Sequence, residues 1–226
     1  MKFNVLTLYT ELIEEYKKTG VIGRGVQAGY IDISAYNIRD YTQNKHGCVD
    51  DYPYSGGAGM VMTVQPVYDC VSNVKKGREN IPVIFFTPSG QKFDSDLAKH
   101  YSKYDELILL CGHFEGIDQR AIDLCVTDEV SMGDFIVTGG HIPAMCFIDC
   151  VSRYVPGVLG NFASTSEESF ENGLLEYPQY TRPYEYMGLK VPDILLSGDR
   201  AKIEKYKYEE SLRITKEKRP DLLKNE

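Results

Sequence analysis

The feature that most constrains this chain is a threefold repeat in its middle: an apolar run, a glycine-bearing turn, then a segment with helical spacing. IPVIFFT (81–87) runs into Pro88-Ser89-Gly90, and ELILLC (106–111) runs into GHFEG (112–116). DEVSMGDFIVTGGHIP (128–143) holds a third apolar run, Phe135-Ile136-Val137, between Gly133 and the pair Gly139-Gly140. Short apolar runs bounded by turn residues read as buried strands. The intervening stretches, from Asp94 or Ser95 to Tyr104, from Ile117 to Val126 and from Ala144 to Tyr154, read as helices, the last opened by Pro143. Strand, turn, helix, repeated, predicts an α/β fold whose mostly parallel sheet is covered by helices. Ligands of such sheets bind beyond the carboxyl ends of the strands. Each turn alone is also what a plain strand-to-helix connection contains. Three of them brought to one edge predict a pocket of backbone amides and carbonyls suited to a nucleoside-bearing ligand.

The flanking regions are less decisive. FNVLTLY (3–9) reads as a strand, followed by a helix with Leu12, Ile13 and Tyr16 on one side. TGVIGRGVQAG (19–29) fails the dinucleotide fingerprint, because its spacing is GxGxxxG and it follows a helix; it reads as a loop into the strand YIDISAYNI. Residues 41–62, polar and rich in glycine, are long for a connection and read either as a binding loop or as a solvated one. No lysine follows GGAG, so this is not a P-loop. Gln65 to Lys76 reads as a helix. Beyond Gly160, NFASTSEESFENG has the composition of a linker. The division expected is a domain over 1–160, a linker over 161–168 and a small helical domain over 169–226. Between 199 and 219 eight Lys and Arg stand against five acids, either a solvated helix face or an RNA-facing patch.

Charge and cysteines narrow the function. A formal charge of −8 over 226 residues argues against a generic polyanion binder, so contact with RNA would need a local patch or two chains together. Six scattered cysteines without a CxxC pair fit a reduced protein. Cys146 and Cys150 share a helical face but have no histidine pair at ligand spacing, and His46, His100, His113 and His141 form no metal motif; no metal site is expected. No apolar run is long enough for a bilayer, and Met1-Lys2 leads into a stretch unlike a secretory signal, which predicts a cytoplasmic protein.

Six blocks in register carry a resemblance: VDDYPYSGGAGMVM (49–62), CGHFEGID (111–118), SMGDFIVTGGHIPAM (131–145), DCVSRYVPGVLG (149–160), GLLEYPQYTRP (173–183) and VPDILLSGD (191–199). Together they resemble the bacterial tRNA (guanine-N1)-methyltransferases acting on guanine 37, of the SPOUT trefoil-knot superfamily. The resemblance implies a deep knot, against the general rule that chains do not thread loops, whose walls bind S-adenosylmethionine. It places cofactor contacts at Thr87, Pro88, Gly112, His113, Phe114, Glu115, Gly116, Ser131, Met132, Gly133, Phe135, Val137, Gly139, Gly140 and Pro143. It assigns Asp50, Gly56, Gly57 and Gly59 to the guanine or the anticodon loop of a tRNA carrying G36-G37. It further implies an obligate homodimer with active sites shared between subunits, and a magnesium requirement.

Guanine N1 carries a proton and is a poor nucleophile, so a base must take that proton while a cation meets the charge building on O6. The resemblance gives these roles to a linker carboxylate and an arginine, here Glu168, with Glu167 as its rival, and Arg153. The chain departs from the family pattern at Glu168 (usually Asp), Ala58 (Pro), His113-Phe114 (Arg-Tyr) and His141 (Glu). Three alternatives stand beside this reading: another knotted RNA methyltransferase, a non-catalytic RNA-binding protein, and a cysteine enzyme using Cys111 with His113.

Overall fold

The computed structural model describes residues 1–54, 56–160 and 168–223. The chain divides into two compact units, Met1–Gly160 and Asn161–Glu226.

The first unit is built on a five-stranded, wholly parallel sheet in the order β2-β1-β6-β5-β7. Its strands are β1 (Lys2–Thr7), β2 (Asp32–Asn37), β5 (Val83–Lys92), β6 (Glu106–Leu110) and β7 (Asp128–Ser131). The antiparallel pair β3 (Asp50–Asp51) and β4 (Val61–Met62) stands apart from it. Alternation along the central strands sorts the core into two layers. Leu107 and Leu109 face one cluster, with Phe3, Val5 and Ile84, against α1 (Thr10–Tyr16), α2 (Gly20–Gln27), α4 (Ser95–Tyr101) and α6 (His141–Ser152). Ile108 and Leu110 face the other, with Leu6, Val83 and Phe85, against α3 (Val64–Lys75) and α5 (Gln119–Cys125). A strand apolar on both faces must be covered on both; IPVIFFT and ELILLC are such strands, and helices do cover both faces. Asp94 caps α4 by accepting from the Leu97 amide at 2.9 Å.

Four expectations change. Phe135, Ile136 and Val137 form no strand: β7 ends at Ser131, and these three side chains are 60, 81 and 37% exposed in an irregular segment. An apolar triplet with no neighbouring strand to pair with has nothing to hold it extended, whatever its composition. The stretch around Gly23 and Gly25 is the helix α2, not a loop. Its glycines serve close packing there, Gly25 lying against Ile31. β5 does not stop at Thr87 but resumes after an excursion, so that Phe86 and Gln91 both face Val130. Helix α6 begins two residues before Pro143, at His141, with Gly140 as its N-cap.

The second unit holds a two-stranded hairpin, β8 (Glu185–Tyr186) and β9 (Leu189–Lys190), and the helix α7 (Arg200–Lys218). It is therefore not purely helical. The basic residues of α7 are largely engaged along the helix itself: Lys202 with Asp199, Lys207 with Glu204, and Arg213 with Glu210 and Glu217. That arrangement favours the solvated face over a dedicated phosphate patch. The linker expected at 161–168 lies outside the described residues except for Glu168, and so does Glu167.

Candidate active site

Strands β6, β5 and β7 are neighbours and run parallel, so the chain leaves all three at one edge. The excursion in β5 supplies Thr87 and Pro88, the turn after β6 supplies Gly112 to Gly116, and the segment after β7 supplies Ser131 to Pro143. They enclose a cleft of about 430 Å³. All fifteen positions singled out above as cofactor contacts line it, together with Phe85, Phe86, Val130, Ile136 and Thr138.

The cleft depends on backbone lying against backbone. The Gly140 amide donates to the Gly112 carbonyl at 2.7 Å. A Cβ on Gly140 would stand 2.8 Å from both Cys111 Cα and the Gly112 nitrogen, so no other residue fits without moving main chain. Phe114 holds a φ of 57°, which a non-glycine residue adopts only when its surroundings dictate it. Ser131 closes a short turn, its Oγ accepting from the Gly133 amide at 3.3 Å.

The candidate substrate residues lie beside this wall. Asp50 pairs with Met62 across β3 and β4. The Glu115 amide donates to the Met60 carbonyl at 3.0 Å, and the Met62 amide to the Gly116 carbonyl at 2.9 Å. Gly56, Gly57 and Gly59 all take positive φ in the loop between. Gly59 leaves no room for a Cβ, which would meet Cγ of Glu115. The GGAG loop is thus fastened to the turn after β6.

Electrostatically the cleft is simple. Glu115 is the one carboxylate among its described lining residues, which include no Lys or Arg. His113 is buried and stacked on His141 at 5.5 Å. Burial, and then the neighbouring ring, pull the His113 imidazole down from 6.5 to about 4, and burial pulls His141 down as well. Both rings are neutral at pH 7.

Arg153 is not among the residues that line this cleft. Arg153 follows α6 and lines a separate hollow of about 260 Å³ with Tyr16, Thr19 and Asp149. The Tyr16 hydroxyl there donates to the Met145 carbonyl at 3.1 Å and to Asp149 at 3.3 Å. Glu168 belongs to the second unit, in a hollow of about 800 Å³ lined also by Glu176, Lys207 and Lys216. Cys111 is fully buried and burial pushes its thiol up, so it lacks the thiolate and the access a nucleophile needs. Among the described residues no group of three or more His, Cys, Asp and Glu could hold a metal ion. None of the described helices is long and apolar enough to cross a membrane.

Sequence reasoning passed over Tyr9, and noted His141 as a departure from the family pattern near the site but not as a cofactor contact. Tyr9 sets its ring edge-on to His113 and His141 at 5.0 and 5.3 Å. The signal available was its position just past a strand whose end would lie next to that of ELILLC.

The family described as tRNA (Guanine-1)-methyltransferase TrmD matches residues 1–225. Three similar proteins each carry the name tRNA (guanine-N(1)-)-methyltransferase. That of Clostridioides difficile (strain 630) is 51% identical over 226 residues, covering 99% of this chain and 98% of its own. That of Ruminiclostridium cellulolyticum is 52% identical over 223 residues, covering 98% and 96%. That of Geobacter sulfurreducens is 49% identical over 223 residues, covering 99% and 91%.

Proposed function

This chain belongs to the tRNA (guanine-N1)-methyltransferase family, and on that premise we propose that it methylates N1 of guanine 37 in tRNAs carrying G36, using S-adenosylmethionine bound in the cleft at the ends of β5, β6 and β7. The observation that carries the reading is the convergence of three strand-end turns on one cleft whose glycines let neighbouring segments lie close together.

The cleft suits this donor. Its volume of about 430 Å³ falls in the range of small-molecule sites, roughly 300–1,000 Å³. Exposed Phe135, Ile136 and Val137 offer apolar surface to a purine, and backbone amides and carbonyls offer partners to its edge. The single carboxylate, with no Lys or Arg, suits a cationic sulfonium. When bound, S-adenosylmethionine supplies an electrophilic methyl.

The protein's part is to hold the guanine and move its proton. Glu168 takes the N1 proton, and the Arg153 guanidinium faces O6 as negative charge builds there. Asp50 and the GGAG loop, fastened to the turn after β6, position the base. Membership of the family supports a homodimer in which one subunit's linker and small domain complete the other's site, with Arg153 and Glu168 drawn from different subunits. The close crossing of Gly140 on Cys111 and Gly112 supports the reading that the segment after β7 is threaded as a knot. Magnesium acts as a requirement of the reaction, although among the described residues no group of three or more His, Cys, Asp and Glu could hold it. The protein works in the cytoplasm, where tRNA is its substrate.

The test is transfer of labelled methyl to unmodified tRNA transcripts, with the product base mapped. Transcripts with G37 after G36 should be methylated at N1 and A37 transcripts should not. Methylation of ribose or of another base would favour a different RNA methyltransferase, and no transfer with tRNA still bound would favour the adaptor reading.

A further inference from the structure

Two imidazoles back one wall of the cleft. His113 is 4% and His141 8% exposed. Their rings stack with 17° between planes, and Tyr9 sets its ring edge-on to both. Gly139 lies between them. A Cβ on it would stand 2.7 Å from Nδ1 of His113 and 2.9 Å from Nδ1 of His141, so both nitrogens turn toward the same stretch of cleft wall. Nε2 of His113 looks the other way, 3.4 Å from Thr7 Oγ1 and 3.5 Å from the Leu8 amide. Nδ1 of His141 is buried and has no hydrogen-bond partner among the described residues. Such an orphan in a packed wall calls for an explanation in terms of what occupies the site.

The surroundings decide how a charge on the pair would behave. Thr7, Leu8 and Tyr9 approach from the end of β1, and none carries charge at neutral pH. The Cys111 thiol beside Thr7 stays protonated. Glu115, on the loop of His113 itself, lines the cleft and turns toward Gly59. Glu11 of α1 favours a proton on His141, but burial of that ring outweighs it. The wall is therefore uncharged, although two groups able to take a proton are built into it.

We propose that the His113–His141 pair makes the cleft discriminate by charge: one positive charge on the pair weakens the hold on the sulfonium donor much more than on its thioether product. Donor and product share the adenosine, the ammonium and the carboxylate, and differ by one methyl group and one positive charge. The ratio of their affinities therefore isolates the interaction with that charge. Like charges ~10 Å apart at an effective dielectric of ~20 repel enough to change an affinity by roughly tenfold. With both imidazoles neutral, as their burial keeps them, the wall adds no such repulsion. The inference rests on the donor reading of the cleft given above.

The test is calorimetric binding of S-adenosylmethionine and S-adenosylhomocysteine to the full-length protein at pH 8.0 and pH 5.0, with wild type, His141→Gln, His141→Arg and the double variant His113→Gln/His141→Gln. In the wild type, the ratio of donor to product affinity should fall on going to pH 5.0 as the pair begins to take a proton. The double variant should keep the ratio constant. At pH 8.0, His141→Arg should disfavour the donor selectively while His141→Gln keeps the wild-type ratio, a comparison that does not depend on behaviour in acid. A ratio that is unchanged in the wild type at pH 5.0 and in His141→Arg, or one that moves equally in the double variant, overturns the proposal. Failure of the wild type to bind either ligand at pH 8.0 would instead overturn the donor reading, so the two failures are distinguishable.

Discussion

Replacing Gly140 by alanine should damage the cleft and the fold together. The new methyl would stand 2.8 Å from Cys111 Cα and from the Gly112 nitrogen and 3.1 Å from the Cys111 carbonyl carbon. All three are main-chain atoms at the end of β6, so no rotamer change relieves the collision. Overpacking of this kind costs about 1–3 kcal/mol. Separating the two segments also weakens the 2.7 Å bond from the Gly140 amide to the Gly112 carbonyl, a further ~0.5–1.5 kcal/mol. The sum, about 1.5–4.5 kcal/mol, should lower the melting temperature by at least ~3 °C in a chain of this size. Because both segments line the cleft, donor affinity measured by calorimetry should fall by tenfold or more. Gly160→Ala is the control, since nothing lies within 4 Å of its added Cβ. Gly140→Ala with wild-type melting and wild-type donor affinity would refute the claim that backbone contact builds the site.

Glu168→Gln should lower turnover by about 100-fold or more while donor affinity stays put, because the group acts on the RNA; an equal loss in Glu167→Gln would move the base to that residue. His113 has a folded-state value of about 4 against 6.5 unfolded. Its depressed value makes its contribution to stability complete above pH 6.5 and progressively lost as pH falls toward 4, by roughly 2–3 kcal/mol. Urea titrations of His113→Gln should show a shallower loss over that window, and an identical pH profile would contradict it. Cys146 is exposed, and the thiol of Cys150 donating to it pulls its value down to about 7. Its alkylation by iodoacetamide should rise through neutral pH and slow in Cys150→Ala, which mass spectrometry of the modified peptide would follow.

The parallel sheet was legible because IPVIFFT and ELILLC are apolar at every position but Thr87 and Glu106, a pattern that suits a strand covered on both faces. The convergence of three turns followed from parallel strands alone. Phe135-Ile136-Val137 misled because composition registers burial and not hydrogen-bonded pairing: the triplet is apolar yet has no neighbouring strand. The excursion in β5 was invisible for a related reason. Gln91 and Lys92 look like turn residues, and only the ladder to Val130 and Ser131 makes them strand. Gly23 and Gly25 suggested a loop because flexibility and close packing demand the same residue. The His113–His141 contact joins the turn after β6 to the start of α6, and no local spacing encodes that. The roles given to Arg153 and Glu168 came through the family resemblance and not from charge or spacing.

Where the methyl donor sits is measured most directly by a crystal structure of the protein with S-adenosylmethionine bound. Electron density for the donor should lie between Thr87-Pro88, the turn at 112–116 and the segment at 131–140, with the sulfonium inside the glycine-walled cleft. Density for the donor at any other place on the chain would contradict the account.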